Sequence, residues 1–355
     1  MEIMGAFQYL MITMMLPSLL LAKIAGDVID KYDSKKTMIL AIAFEILFII
    51  GVCIFNMQKM PKILYLFSFI SYTVEIFIRL YLQSSVVHIA KQSHYLKVNS
   101  ILNGAENLGV ILGPICGGAL IENFQVNYAF FILGACFFIT LISIIFLRIP
   151  KPLFPDIVYS ESNSTTTKIR GSFDEIKKIF FTVCLFSFSI GLVNVRQISF
   201  VITQYNTAEF GYSLTESAWG FGMIIGCFII LLFNQRAHPE RTLGCCYLFV
   251  GSIVLLLTIN TRFILGVFLF LLIGVGNIII SIAATTWVQQ SASLNSMGKN
   301  LGKKTMYQQI FTITAMILGG FLDSQVSSNR LYGFAAIILI LGGVFILLYW
   351  KDNQK

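Results

Sequence analysis

The feature that most constrains the fold of this chain is a series of long apolar segments separated by short polar ones. A helix that crosses the hydrocarbon core of a bilayer needs about 20 mostly apolar residues, with some tolerance for tilt. Every backbone polar group in that core has to be satisfied inside the protein, so we expect each segment to be an α-helix. By this measure the sequence contains eleven spans, at residues 5–29, 37–55, 63–89, 98–121, 128–147, 179–205, 216–234, 243–260, 263–288, 304–322 and 330–350. The predicted fold class is an all-α, polytopic membrane protein.

The composition supports this class and argues against a nucleic-acid partner. The chain is 57% hydrophobic and only 12% charged, whereas a soluble domain is about 25% charged. Its net charge of +8 comes mostly from Lys and Arg in the short loops between spans, not from a continuous basic surface. All seven cysteines lie in apolar segments without metal-ligand spacing, so they are expected to be small core residues, and no metal site is predicted.

The basic residues also predict the orientation of the chain. When the loops are assigned alternately to two sides, one side receives only Lys59, Lys62, Arg262 and Arg330, while the other receives eighteen bases. The richer side is cytoplasmic by the positive-inside rule. We therefore expect a multi-pass protein of the cell membrane, whether a plasma membrane or a bacterial inner membrane, with a cytoplasmic C-terminus.

The longest polar interruption predicts the domain organisation. Residues 148–178 contain three prolines, a Ser/Thr run and mixed charges, which is typical of a linker. The predicted parts are an N-terminal bundle of five helices (1–147), a cytoplasmic linker (148–178), a C-terminal bundle of six helices (179–350) and a cytoplasmic tail (351–355).

The first cytoplasmic turn carries an ordered set of residues, Gly26, Asp30, Lys31, Lys35 and Lys36. The glycine would let another backbone approach closely. The carboxylate one helical turn later could face the positive N-terminus of a neighbouring helix. The three bases are equally consistent with any cytoplasmic turn, so the order of glycine, acid and bases is the informative part.

A second motif lies in the fourth span, where the sequence reads GVILGPICGG. Gly109, Gly113 and Gly117 recur every four residues and form a smooth stripe on one helix face, which predicts close helix packing. Pro114 removes a backbone hydrogen bond and is expected to bend the helix, and Gly118 completes the motif.

Ionisable residues inside spans are the third candidate set. They cost about 2.5–3.5 kcal/mol each on insertion scales and often mark a transport pathway. The candidates for proton coupling are Glu45, Glu75, Arg79 and Glu106. Glu75 and Arg79 are four residues apart, so they could instead be a neutralising pair without further function.

The two glycine-containing motifs resemble the major facilitator superfamily. The first is similar to the family's G-x-x-x-D-[RK]-x-G-[RK]-[RK] loop between its second and third helices, with Asp33 where Gly is usual and Ser34 where a base is common. Asp at that position is typical of the macrolide-efflux-like branch of drug:proton antiporters. The second motif resembles the antiporter motif of the family's fifth helix. On this resemblance the chain is expected to lack the first of the family's twelve helices.

This resemblance implies two helical bundles around a central cavity and secondary active transport by alternating access. The expected activity is proton-coupled efflux of a lipophilic small molecule, such as a drug or a macrolide, by a monomer in the lipid bilayer that uses no cofactor. Arg79 matches an arginine that the family associates with proton coupling, although the Gln-Gly that often follows is absent.

Two alternatives remain at the level of sequence. One is export of an endogenous metabolite such as a siderophore, and the other is a truncated membrane protein that does not transport. An enzyme is not expected, because the chain has neither an H-E-x-x-H nor a G-x-S-x-G motif, and GKNLGKKT lacks the spacing of a phosphate loop.

Overall fold

The structure is a computed structural model that describes residues 13–32, 34–55, 61–123, 126–146, 173–207, 209–232, 238–322 and 326–352. Within these ranges every regular element is a helix. In chain order they are α1 (residues 13–20), α2 (Ala22–Lys31), α3 (Ser34–Ile54), α4 (Pro61–Ile89), α5 (Tyr95–Asn123), α6 (Val126–Phe146), α7 (Phe173–Tyr205), α8 (Glu209–Leu232), α9 (Pro239–Ile259), α10 (Phe263–Ser291), α11 (Met297–Phe321) and α12 (Ser328–Asp352).

These helices follow the predicted spans. Helices α1 and α2 lie in the first span, and α3 to α12 match the remaining spans in order. Among the described residues, eight helices are long and apolar enough to cross a membrane, namely α3, α4, α6, α7, α8, α9, α10 and α12. The prediction of an all-helical, polytopic fold is confirmed.

The chain forms two compact units, and the first contains α2, α3, α4 and α6. Its residues fall within 1–90, 110–170 and 292–306. Helix α3 packs against α4 and α6, and α2 packs against α4. Ile42, Ile49 and Leu80 are buried in this unit, where they supply part of the apolar surface between the helices.

The second unit contains α7 to α10 and α12, with residues that fall within 91–109, 171–291 and 307–355. Helix α12 packs against α7 and α9, while α10 packs against α8 and α9. A side chain at Gly222 would collide with the backbone carbonyl of Leu271, and one at Gly274 would collide with that of Trp219. Small residues therefore bring α8 and α10 into backbone contact, as is common between helices in membranes.

The two units differ from the division predicted along the sequence in two segments. The start of α5 (91–109) groups with the later helices, and the start of α11 (297–306) groups with the earlier ones. Most of the predicted linker, residues 148–172, lies outside the described residues, and α7 begins inside it at Phe173. The boundaries 1–147, 148–178, 179–350 and 351–355 therefore remain predictions.

Candidate functional site

Glu45 lies on α3 among apolar neighbours and is fully buried, with 0% of its surface exposed. The hydroxyl of Ser71 on α4 donates a hydrogen bond to its Oε1. Its Oε2 has no hydrogen-bond partner among the described residues. A carboxylate that has left water with so few donors is costly to keep charged. The surroundings of Glu45 are therefore suited to a carboxyl group that gains and loses a proton.

Glu75 and Arg79 lie on α4 and are brought together, because the Arg79 guanidinium donates to Oε1 of Glu75. Both side chains are partly accessible, at 43% and 39% of their surfaces. Ser71, Glu75 and Arg79 follow one another at intervals of four residues, so they form a line along one face of α4. Ser71, at one end of this line, contacts Glu45. Three of the four predicted coupling residues, Glu45, Glu75 and Arg79, therefore lie along one row of polar side chains in the first compact unit.

The fourth candidate, Glu106, is an exposed residue of α5. It lies in the segment of α5 that belongs to the second unit. The neighbouring Asn107 donates to the backbone oxygen of Asn103, so this face of α5 is polar over two turns. Glu106 therefore does not share the surroundings of Glu45.

The motif in the first cytoplasmic turn contacts the start of α11. The Asp30 carboxylate accepts hydrogen bonds from the backbone N–H groups of Gly298 and Lys299, each at 2.7 Å. Gly26 is buried, and a Cβ there would collide with the carbonyl oxygen of Gly298. The first N–H groups of a helix have no hydrogen-bond acceptor within the helix. At the N-terminus of α11 the Asp30 carboxylate supplies this acceptor, and its negative charge is favourable at the positive end of the helix.

Two opposing effects act on the charge of Asp30 at this contact. Burial raises the pKa of Asp30 above its usual value, while the two backbone hydrogen bonds favour the charged form and partly oppose that shift. Lys31 and Lys36 are exposed, whereas the Lys35 ammonium donates to the backbone oxygen of Ile145 at 2.8 Å. The hydrogen bond from Lys35 thus connects the turn to α6.

A cavity of about 340 Å³ borders the same contact. Its wall includes Asp30 and Lys35 from the turn, His88 and two serines from α4, and Asn295 from the segment before α11. The described residues contain no group of three or more His, Cys, Asp or Glu side chains placed to hold a metal ion.

The glycine stripe of α5 has no described atom close to its three glycines. A Cβ added at Gly109, Gly113 or Gly117 would meet no atom of the described residues within 4 Å. The side-chain surroundings of Pro114 and Gly118 lie outside what the structure describes. The close packing predicted for this stripe is thus not seen at its three glycines, and its part in transport stays a prediction.

A buried polar cluster was missed by the sequence analysis. The side-chain amide of Asn99 on α5 donates to Oε1 of Gln289 at 2.6 Å and to the Thr286 hydroxyl at 2.9 Å, both on α10. The Ser100 hydroxyl donates to the backbone oxygen of Cys227 on α8 at 2.6 Å. Polar residues at the ends of apolar spans were the available signal, but nothing in the sequence indicated which helices they would join.

Two further polar residues lie in the spans of the second unit and were not among the four candidates for proton coupling. Glu216 on α8 lies beside the hydroxyl of Tyr212 and the side-chain amide of Gln197. Arg196, next to Gln197 on α7, donates to the backbone oxygens of Leu322 and Val326. Arg196 thus binds the connection between α11 and α12.

Comparison with known proteins finds one family and several relatives that match most of the chain. The model of the family described as Major Facilitator Superfamily matches residues 4–313. The chain is 23% identical to Multidrug resistance protein 1 of Bacillus subtilis (strain 168) over 355 residues, which covers 98% of this chain and 87% of that protein. It is 26% identical over 255 residues to Multidrug resistance protein MdtG of Escherichia coli O17:K52:H18, covering 67% and 58% of the two chains.

Solved structures are similar in fold. The Escherichia coli fucose:proton symporter FucP superimposes with a TM-score of 0.71 at 11% identity, covering 96% of this chain and 91% of the other. A bacterial homologue of the iron transporter ferroportin in an outward-facing state gives a TM-score of 0.70 at 17% identity, covering 98% and 91%. At these identities the likeness concerns the fold alone.

Proposed function

Because the chain belongs to the major facilitator superfamily, we propose that it exports a lipophilic small molecule, such as a drug or a macrolide, in exchange for protons. Family membership and the transporter fold make the chain a membrane transporter rather than an enzyme. The names of two relatives, which refer to multidrug resistance, support efflux. Asp33 in the first cytoplasmic turn supports the macrolide-efflux-like branch. The proposed setting is the cell membrane, with a monomer whose C-terminus is cytoplasmic.

The observation that carries this proposal is the state of Glu45. It is fully buried in an apolar span, its Oε1 accepts a hydrogen bond from Ser71, and its Oε2 has no partner among the described residues. Proton-driven export needs a group that is neutral when sealed from water and releases its proton when water reaches it. A carboxyl group in these surroundings has that property.

The neighbouring line on α4 gives the proton a connection to water. Ser71 contacts Glu45, and Glu75 and Arg79 lie one and two turns further along the same face with partly accessible side chains. In the proposed cycle, Glu45 is protonated from the outer side and deprotonated towards the cytoplasm, while the substrate moves outward. The Glu75–Arg79 pair keeps a polar, charge-balanced path beside Glu45 at a lower cost than two isolated charges.

The test replaces Glu45 by its neutral isostere. In inside-out membrane vesicles energised by a proton gradient, Glu45→Gln is expected to abolish gradient-driven accumulation of a fluorescent lipophilic substrate. Exchange of labelled for unlabelled substrate without a gradient should persist, since the glutamine mimics the protonated state. Glu240→Gln, in the first turn of α9, is the matched control and should accumulate substrate like the wild type.

Two results would contradict the proposal. Unchanged gradient-driven accumulation by Glu45→Gln would remove Glu45 from coupling, and Glu75→Gln would then be tested in the same vesicles. Absence of substrate movement in the wild type, with the protein present in the membrane, would reject export of the substrates tried. Membrane expression measured for each variant separates both results from a failure to fold.

A further inference from the structure

The second compact unit has an exposed carboxylate inside a candidate membrane span. Glu216 lies on α8, and it follows Phe210, where that span begins, by about 9 Å at about 1.5 Å per residue. Among the described residues, the groups that act on its charge are the Tyr212 hydroxyl and the Gln197 amide, and neither is a cation. An ionisable group in a span is costly and marks a pathway or a partner. Glu216 is therefore a candidate for a group that binds a ligand.

Gln197 on α7 supplies an independent observation in the same place. Its side chain is 2% exposed and lies beside Glu216. Its Nε2 nevertheless has no hydrogen-bond partner among the described residues. A buried donor without an acceptor is costly, and such groups are rare in folded proteins. A bound molecule that brought an oxygen acceptor to this amide would remove that cost.

The neighbouring tyrosine hydroxyls already have partners within the same unit. Tyr332 is fully buried near Glu216, and its hydroxyl donates to the backbone oxygen of Val193 at 3.1 Å. The hydroxyl of Tyr205 accepts a hydrogen bond from the Asn260 amide at 3.1 Å. These bonds hold the tyrosines in place. The groups left for a ligand are the carboxylate and the unpaired amide nitrogen beside it.

We propose that Glu216 and Gln197 form a subsite for one part of the substrate, namely a protonated amine with an ether, hydroxyl or carbonyl oxygen close to it. The carboxylate pairs with the ammonium group, and Nε2 of the amide donates to the oxygen. The oxygen has to lie near the amine because the two side chains are neighbours. The inference rests on the proposed function and narrows its substrates from lipophilic molecules in general to lipophilic amines of this kind.

The two side chains contribute differently to recognition. A hydrogen bond between ionised groups is about twice as strong as one between neutral groups. Glu216 is therefore expected to supply most of the affinity for the amine. Gln197 adds selectivity, because an amine without the neighbouring oxygen would leave its donor unpaired. An amine and its carbon analogue should thus be distinguished at Gln197 and not at Glu216.

The test measures the dissociation constants of three radiolabelled probes by equilibrium dialysis against the full chain, purified in detergent. The first probe is 4-benzylphenyl 2-(dimethylamino)ethyl ether, which has both the amine and the oxygen. In the second probe a methylene group replaces the ether oxygen, and in the third an isopropyl group replaces the dimethylamino group. The three probes have nearly the same size, so their apolar contacts are matched.

The wild type is expected to bind the first probe most tightly. Glu216→Gln should raise the dissociation constants of both amines on the order of tenfold and leave that of the neutral ether unchanged. Gln197→Leu should raise the dissociation constant of the amino ether about fivefold, as loss of one hydrogen bond would do, and leave that of its methylene analogue unchanged. Glu240→Gln, in the first turn of α9, is the control and should bind all three probes like the wild type.

Thermal unfolding without probe separates recognition from a structural role of the buried amide. Gln197→Leu should unfold at the wild-type midpoint or above it, because leucine removes an unpaired donor from the interior. A lower midpoint would show that the amide stabilises the fold through a protein partner, and this result would overturn its assignment to a ligand.

Four binding results would overturn the subsite. These are equal affinity of the wild type for all three probes, unchanged amine binding by Glu216→Gln, an equal loss for all three probes in that variant, and an equal loss for both amines in Gln197→Leu. Dialysis needs no transport, so the two proposals fail separately. The expected binding pattern in a chain that exports none of the probes would reject the function, and export by a chain whose binding ignores the amine would reject the subsite.

Discussion

Asp30 experiences two opposing effects that act on the same carboxylate. Two backbone N–H groups of α11 stabilise its charge at 2.7 Å each, while removal from water destabilises it. Burial is the larger effect, so the pKa lies above the usual value of 3.8, and the nearby Asp27 adds to the shift. The folded protein therefore binds a proton at Asp30 at a higher pH than the unfolded chain does.

The pH dependence of stability should show this proton. A group whose pKa is raised by folding contributes stability at low pH and loses it as the pH rises through the folded pKa. The thermal stability of the wild type, relative to Asp30→Asn, is thus expected to increase as the pH falls from neutral through the raised pKa towards 3.8. The measurement is the unfolding midpoint of both purified proteins across this range. A constant difference, or one that shrinks on acidification, would contradict the assignment.

At the scale of helices, the contact between α2 and α11 is a backbone contact. Gly26 and Gly298 face each other so closely that a Cβ on either would collide with the other's carbonyl oxygen or its neighbours. Small residues at such crossings let polar backbone groups and helix ends meet. The close approach at Gly26 also brings Asp30, one turn later, to the N-terminus of α11.

Gly26→Ala tests this contact. Because the obstacle is backbone and not a flexible side chain, we expect a loss of about 1–3 kcal/mol in the free energy of unfolding. The matched control is Gly51→Ala on α3, where an added Cβ meets nothing among the described residues. There alanine should be neutral or slightly stabilising, since glycine is the poorer helix former by about 1 kcal/mol. The measurement is the thermal unfolding midpoint of each variant. If Gly26→Ala and Gly51→Ala unfold at the same midpoint, α11 can shift to accommodate the methyl group at Gly26.

The helices and the first turn could be predicted from sequence, while the buried cluster of Asn99, Thr286 and Gln289 could not. Span length follows directly from bilayer thickness, so the apolar runs indicated where α3 to α12 would lie. The order of Gly26 and Asp30 predicted a backbone contact and a helix-end interaction, because a glycine lets another backbone approach and a carboxylate is stabilised by the positive N-terminus of a helix. Asn99 and Gln289 lie 190 positions apart, and hydrophobic periodicity carries no information about which polar residues of different helices meet.

At the scale of the whole molecule, α5 has buried hydrogen bonds at one end and, among the described residues, no atom close to its glycine stripe. Its first turns bind α8 and α10 through the buried amides, whereas Gly109, Gly113 and Gly117 face no described atom within 4 Å. A stripe of small residues that meets no described atom in this arrangement is expected to gain a packing partner in another, if the transport cycle brings a helix against it.

Gly113→Leu distinguishes packing during transport from packing in this arrangement. A Cβ at Gly113 meets no described atom within 4 Å, so the unfolding free energy should stay within about 0.5 kcal/mol of the wild-type value. If a helix must close against the stripe, the added carbons would block it, and gradient-driven efflux should be lost. Gly51→Leu, where an added Cβ also meets no described atom within 4 Å, is the control and should keep both stability and efflux. Wild-type efflux by Gly113→Leu would show that no required step packs this stripe, and the resemblance to an antiporter motif would then carry no mechanical role here.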